Sequence, residues 1–136
     1  MNFKDKTLLI TGGTGFIGSF LTNSFLEHGY DEVRILTRNL EGKTSTPKVK
    51  YFEWDVEKGQ MDMAALMGVN AIINLAGENI ADGRWTTEKK DRIYNSRINA
   101  TNLLYEKLKQ LQSRGLPLPN KLISTSAIGI YGDRAD

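Results

Sequence analysis

Apolar residues along this chain fall into two rhythms: short continuous runs, and longer stretches spaced three and four apart. Thr7 to Thr11 is a run of the first kind, ends at glycines, and predicts a strand buried on both faces. Phe16 to His28 follows with apolar residues at 16, 17, 20, 21 and 25, the spacing of a helix face, and Gly29 is placed to end it. Glu32 to Thr37 and Val49 to Trp54 read as the second and third strands. Between them Arg38 to Lys48 is polar, carries Gly42 and Pro47, and predicts a loop. Asp62 to Met67 predicts a short helix and Ala71 to Leu75 a fourth strand. After a loop at Glu78 to Trp85, Thr86 is a helix-capping residue, with Glu88 just inside to suit the helix dipole. That helical stretch runs to Ser113 and is closed by Gly115, Pro117 and Pro119. Lys121 to Ser126 predicts a fifth strand, and the last ten residues read as loop.

Strands alternating with helices predict an α/β fold with a parallel sheet. Right-handed crossovers narrow this to a Rossmann-like sheet of strand order 3-2-1-4-5, helices on both faces, ending after the fifth strand. A length of 136 residues with 40% hydrophobic composition supports one domain with its own core. The net charge of +2, with no run of like charges, argues against a nucleic-acid partner. The absence of cysteine excludes disulfides, thiolate metal sites and a catalytic thiol. The first residues lack the apolar core of a signal peptide. No run approaches the roughly 20 apolar residues of a membrane span, so a cytoplasmic protein without membrane contact is expected. His28 is the single histidine, which excludes a histidine-based triad, and the acidic residues show no ligand spacing, so no metal is expected. At a helix end, His28 is read as a C-terminal cap. Trp54 and Trp85 read as core or interface positions.

Gly12-Gly-Thr-Gly15-Phe-Ile-Gly18 lies between the first strand and the first helix. In that context the GxxGxxG spacing marks a dinucleotide-binding turn. Gly12 permits the tight turn, Gly15 lets backbone approach a pyrophosphate, and Gly18 lets the helix pack close on the sheet. Thr14, Phe16 and Ile17 complete the candidate set, because helix-terminal N–H groups and the dipole face the phosphates. The competing reading is a glycine-rich turn with no ligand. At the end of the second strand an acidic residue would bind the ribose 2′-hydroxyl of NAD. Thr37 and Arg38 stand there instead. A guanidinium suits the 2′-phosphate of NADP, so NADP is preferred over NAD. The alternative for Arg38 is a solvated loop arginine.

Four blocks in order resemble the extended and atypical short-chain dehydrogenase/reductase superfamily: Thr11-Gly-Gly-Thr-Gly-Phe-Ile-Gly18, Asp55-Val56, Asn74-Leu-Ala-Gly77 and Ser124-Thr-Ser-Ala-Ile-Gly-Ile-Tyr-Gly132. Asn74-Leu-Ala-Gly-Glu-Asn-Ile80, Arg84-Trp85-Thr86 and Ser96-Arg97 narrow the resemblance to the NAD-dependent epimerase/dehydratase-like "epimerase family" proteins. The resemblance implies that Asp55 and Val56 line the adenine, and that Leu75, Ala76 and Gly77 form the turn beside the cofactor ribose. It implies that Ser126 is the active-site serine, which hydrogen-bonds a substrate hydroxyl or carbonyl. Strand alternation would point Ser124 the same way. Arg97 falls where many members carry an asparagine. Glu78 and Arg84 lie at the mouth of the implied cleft and read as solvated.

The superfamily's acid/base is a tyrosine in a Tyr-x-x-x-Lys pair placed well after the serine. The literal match, Tyr105-Glu-Lys-Leu-Lys109, precedes Ser126 and lies in the helix half that runs away from the ligand edge, so Tyr105 is read as a packing residue. Tyr131 follows Ser126 too closely, with Ala135 four positions on. Members of the family are longer. The expectation is therefore residues 1–136 as an incomplete NAD(P)-binding Rossmann domain, lacking the C-terminal substrate-binding part and inactive alone. Its fifth strand would be an edge open to another chain, consistent with a homo-oligomer. The implied function is that of a short-chain oxidoreductase or nucleotide-sugar epimerase/dehydratase, with hydride transfer at a hydroxyl or carbonyl carbon. The alternatives are a non-catalytic dinucleotide-binding module and an inactive fragment.

Overall fold

The continuous apolar runs do pair as parallel strands. In the computed structural model, residues 6–12, 15–75 and 86–124 are described, apart from the side chains of residues 89, 93 and 96. The strands are β1 (Thr7–Thr11), β2 (Glu32–Thr37), β3 (Val49–Asp55), β4 (Gln60–Met61), β5 (Ala71–Asn74) and β6 (Lys121–Ser124). They form one sheet of order β4-β3-β2-β1-β5-β6. The five long strands stand in the expected order and are parallel throughout. The sheet differs from expectation in one detail. The two-residue β4 folds back antiparallel on β3, pairing Trp54 with Met61 and Asp55 with Gln60.

Helix α1 (Phe16–Glu27) and helix α2 (Thr87–Ser113) lie on opposite faces of the sheet. On the α1 face, Leu8, Ile10, Val33, Ile35, Ala71 and Ile73 form a buried layer, with Leu21 and Phe25 of α1 against it. On the α2 face, Leu9, Leu36, Trp54, Leu66 and Ile72 meet Ala100, Leu103, Leu104 and Leu111. Each such fully buried leucine or isoleucine is worth about 1.5–3 kcal/mol of transfer free energy. Trp54 is thereby a core residue.

Three local expectations change. The segment Asp62 to Met67 is a 3₁₀ turn, Met63–Leu66, with Asp62 accepting from the Ala64 N–H as its cap. Helix α1 buries Gly18 and Thr22, whereas Phe16, Ile17 and Phe20 are exposed, Phe16 to 89%. Their apolar spacing therefore does not mark the face against the sheet. The described part of the fifth strand ends at Ser124, and residues 125–136 lie outside the described residues. His28 does terminate α1, its Nδ1 lying 2.7 Å from the Ser24 carbonyl.

Arg34 fixes the 3₁₀ turn to the sheet. Its Nη1 donates to the carbonyls of Ala64, Ala65 and Met67 at 3.0, 3.1 and 2.7 Å. Its Nε donates to Glu32 at 2.7 Å, and the guanidinium lies 5.8 Å from the Phe52 ring centre. Glu32 also accepts from Lys50 at 3.4 Å. Partial burial pushes the Glu32 carboxyl up, but the hydrogen bonds and charges of Arg34 and Lys50 outweigh it and leave it below its ordinary value.

Candidate functional site

Reversal of winding direction creates a crevice. From β1 the chain steps outward through β2 and β3 on the α1 side, then returns to β5 and continues to β6 with α2 on the other face. The carboxyl ends of β1 and β5, where the direction reverses, are the edge at which such sheets bind ligands. Thr11 ends β1 and Asn74 ends β5, paired in register, and the Leu75 N–H extends the ladder to the Thr11 carbonyl at 3.0 Å.

Gly12 follows Thr11 with φ of +78°, a conformation that side-chained residues rarely take. The Gly15 N–H donates to the Gly12 carbonyl at 3.3 Å and closes the turn. Gly15 itself has φ −83° and ψ −174°, open to any residue, and an added Cβ would meet only Gly12 O at 3.7 Å, an ordinary contact. Nothing in the described chain demands a glycine there. Its bare backbone leaves room for a group from outside, as the pyrophosphate reading requires. Among the described residues no side chain caps the N-terminus of α1 and its first turn has no acidic residue, which leaves the positive end of the helix suited to an anion. Gly18 is buried, and its carbonyl accepts from Thr22 Oγ1 at 2.8 Å. Phe16 and Ile17 turn their side chains outward, leaving their backbone as the part suited to phosphate. These residues fit a dinucleotide phosphate. Thr14 lies outside the described residues.

Beneath this edge sits a polar hub that sequence reading did not foresee. Asn74, 5% exposed, accepts from Thr11 Oγ1 at 2.5 Å through Oδ1. Its Nδ2 donates to Thr101 Oγ1 of α2 and Ser124 Oγ of β6, each at 3.3 Å. One amide thus ties the ends of β1, β5 and β6 to the long helix. Residue 75 begins the expected ribose-side turn, and Leu75 packs toward the α1-face core. Ala76, Gly77, Glu78, Arg84 and Trp85 lie outside the described residues, as does Ser126. Ser124 points to the α2 face, toward Asn74.

Thr101 marks the height of the ligand edge along α2. Arg97, one turn nearer the helix start, stands at that edge, half-buried with its Nε shielded from solvent. Tyr105 and Lys109 lie one and two turns farther from it, consistent with their reading as remote from the site. Tyr105 is not a packing residue, however. It is exposed, with Lys109 Nζ 5.3 Å from its ring centre.

The end of β2 carries Thr37 and Arg38. Thr37 Oγ1 donates to the Asn39 carbonyl at 3.3 Å, while Arg38 is exposed and outside the Glu32 ion pairs. The structure adds Glu53, the register partner of Thr37 on β3. Only the sheet pairing brings that carboxylate beside the strand end, so no local motif announces it. At the end of β3, Asp55 Oδ1 accepts the Lys58 N–H at 3.1 Å, leaving Oδ2 to accept from a ligand, and Val56 packs against the α2-face core. Among the described residues no cluster of three or more His, Cys, Asp or Glu side chains could hold a metal, and no helix is long and apolar enough to cross a membrane.

A glycine turn at the switch point of a doubly wound parallel sheet is the architecture of nicotinamide-dinucleotide domains. The solved structures agree. The chain matches a short-chain dehydrogenase from Leptospira borgpetersenii, determined with bound NAD⁺, with a TM-score of 0.68 and 23% identity over 98% of this chain and 56% of that one. It matches a UDP-glucose 4-epimerase with a TM-score of 0.65 and 20% identity over 94% of this chain and 37% of the other. At those identities the likeness is one of fold. Residues 8–136 match the model of the NAD dependent epimerase/dehydratase family, and the chain belongs to that family. The epimerase family protein YfhF of Bacillus subtilis is 38% identical over 125 residues, 92% of this chain and 39% of the relative. An epimerase family protein of Staphylococcus epidermidis is 36% identical over 127 residues, again 39% of its length. The chain thus spans about two fifths of these relatives.

Proposed function

We propose that this chain is the NADP-binding part of a short-chain-type oxidoreductase or nucleotide-sugar epimerase/dehydratase. The observation that carries the reading is the meeting, on one sheet edge, of the Gly12–Gly15 turn, the uncapped N-terminus of α1 and the Thr37–Arg38 strand end. A bound nicotinamide dinucleotide supplies hydride transfer at its ring. Gly12, Gly15 and the backbone of Phe16, Ile17 and Gly18 hold the pyrophosphate. Arg38 grips the 2′-phosphate, Asp55 accepts from the adenine amine, and Val56 lines the ring. Leu75, Ala76 and Gly77 border the ribose, with Arg97 beside them. Ser126 positions the substrate oxygen. The substrate-binding part and the acid/base belong to the remaining length of the longer relatives, and residues 1–136 are an incomplete Rossmann domain.

The test is a fluorescence titration with NADPH and NADH. NADPH is expected to bind more tightly, and Arg38→Ala to weaken NADPH at least about tenfold, the loss of one charge-assisted phosphate contact, with NADH little changed. Equal losses for both nucleotides would sink the 2′-phosphate assignment. No binding of either at millimolar concentration would sink the dinucleotide reading.

A further inference from the structure

The crossover from β2 to β3 has no helix, although parallel neighbours are usually joined by one. Residues 38–48 cross the α1 face as a loop instead. Beside α1, where such a helix would lie, is a cavity of about 440 Å³. Its floor is the sheet: Val49, Ile35 and the register partner of Ile35, Tyr51. Its walls are Ser19 and Asn23 of α1 and Lys43 and Thr44 of the loop. Every lining residue lies between 19 and 51, inside one continuously described stretch. The loop is pinned to β3. The Thr46 N–H donates to the Val49 carbonyl at 2.8 Å, the Val49 N–H to Thr46 Oγ1 at 3.1 Å and the Tyr51 N–H to Ser45 Oγ at 3.0 Å. The Lys43 N–H donates to the Leu40 carbonyl at 3.0 Å. These bonds fix the stretch that brings Lys43 and Thr44 to the cavity wall.

Charge decides what fits. Lys43 is half-buried, and no carboxylate lines the cavity. Among the described residues no side-chain hydrogen bond or ion pair engages Ser19, Asn23, Lys43 or Thr44. Together they present two hydroxyls, an amide and an ammonium group, all able to donate. One cation among neutral donors suits an anion with several acceptor oxygens. The volume falls in the range of small-molecule sites, roughly 300–1,000 Å³, and Ile35, Val49 and the Tyr51 ring give it an apolar floor for a carbon body. We propose that this cavity is a binding site for a small phosphate monoester of the size of a sugar phosphate. The phosphate lies on Lys43 with Ser19, Asn23 and Thr44, and the body lies over Ile35, Val49 and Tyr51. The site is separate from the dinucleotide edge: Ile35 is two positions, about 6.6 Å, back along β2 from Thr37.

The experiment titrates the isotope-labelled chain with glucose 6-phosphate, without dinucleotide, and follows its backbone amide resonances. Glucose, gluconate and inorganic phosphate are run beside it at equal ionic strength. Saturable shifts are expected at residues 19–23, residues 43–46 and Tyr51, with glucose inert and with gluconate and inorganic phosphate weaker. Lys43→Met should weaken glucose 6-phosphate at least about fivefold, the loss of one charge-assisted contact, and Lys43→Arg should keep most of the affinity. Asn23→Ala should weaken it about twofold or more. Lys109→Met makes the same charge change on the opposite face of the sheet and should leave binding as it was. Lys43 is half-buried and Asn23 exposed, so melting temperatures should hold. If Lys43→Met fails to fold, Asn23→Ala carries the test. The proposal is overturned if no shift saturates, if glucose binds as well as its phosphate, or if the folded variants bind as the parent does. Tighter binding of gluconate overturns the phosphate assignment. Shifts centred on residues 12–18 also overturn it, because the phosphate has then entered the glycine turn.

Discussion

Replacing Arg34 with methionine should cost about 3 kcal/mol, most of it at a corner far from any ligand. The side chain is 16% exposed, and methionine keeps its apolar stem while removing the guanidinium. Three carbonyls share Nη1, which has two protons, so two bonds' worth of charge-assisted hydrogen bonding is at stake, roughly 1 kcal/mol each. The half-buried pair with Glu32 adds about 1 kcal/mol. For a chain of this size the total corresponds to a fall in Tm of roughly 10 °C. Urea denaturation followed by circular dichroism measures the difference. Acid provides an internal check. The folded Glu32 pKa lies below its unfolded value, so its contribution is complete above the unfolded value, about 4.3, and is lost as pH falls through the folded one. The penalty of Arg34→Met should therefore shrink as pH falls through the folded value, while the share from the carbonyls persists. A difference under about 1 kcal/mol at neutral pH, or one that grows on acidification, would refute the argument.

Gly12→Ala should destabilise by about 1 kcal/mol or more, because φ of +78° is strained for alanine, and should weaken NADPH as the turn shifts; an unchanged melting curve contradicts it. Asn74→Ala should cost roughly 2–3 kcal/mol, and in a cycle with Thr11→Val the pair should couple by about 1 kcal/mol or more; additive denaturation energies would break the hub. Glu53→Gln removes the carboxylate beside Thr37 and should tighten NADPH severalfold, whereas weaker NADPH binding would make Glu53 a ribose ligand and count against a 2′-phosphate there.

What the sequence disclosed follows from which forces are local. β1 was legible to the residue because a strand covered on both faces is a continuous apolar run, and β2 because Val33, Ile35 and Leu36 stand between a helix-ending glycine and a polar loop. The long helix was bounded by its own cap and its terminating glycine and prolines. The glycine turn was legible because backbone conformation, set by a few residues, carries its function. The β4 hairpin was not, since two residues have no periodicity to read. Arg34 looks like an ordinary polar position on a strand, and its three carbonyl partners come from a turn some thirty residues away. Asn74 reads as a strand end until the register brings Thr11, Ser124 and Thr101 around it. The exposed Phe16, Ile17 and Phe20 show the converse limit: spacing marks apolar faces but does not say which one meets the sheet.

The two ends of the sheet are unlike, and this gives edge-to-edge assembly a direction. At one end the short antiparallel β4 covers β3, and Arg34 holds the turn that follows it. At the other end, among the described residues, no strand pairs with the outer side of β6. A fibre that grows by sheet addition needs two complementary ends on every copy. With one end blunted, stray pairing runs β6 to β6 about a two-fold axis and stops at two copies. Any pairing through β6 should therefore stop at two copies, and filaments should not elongate from it.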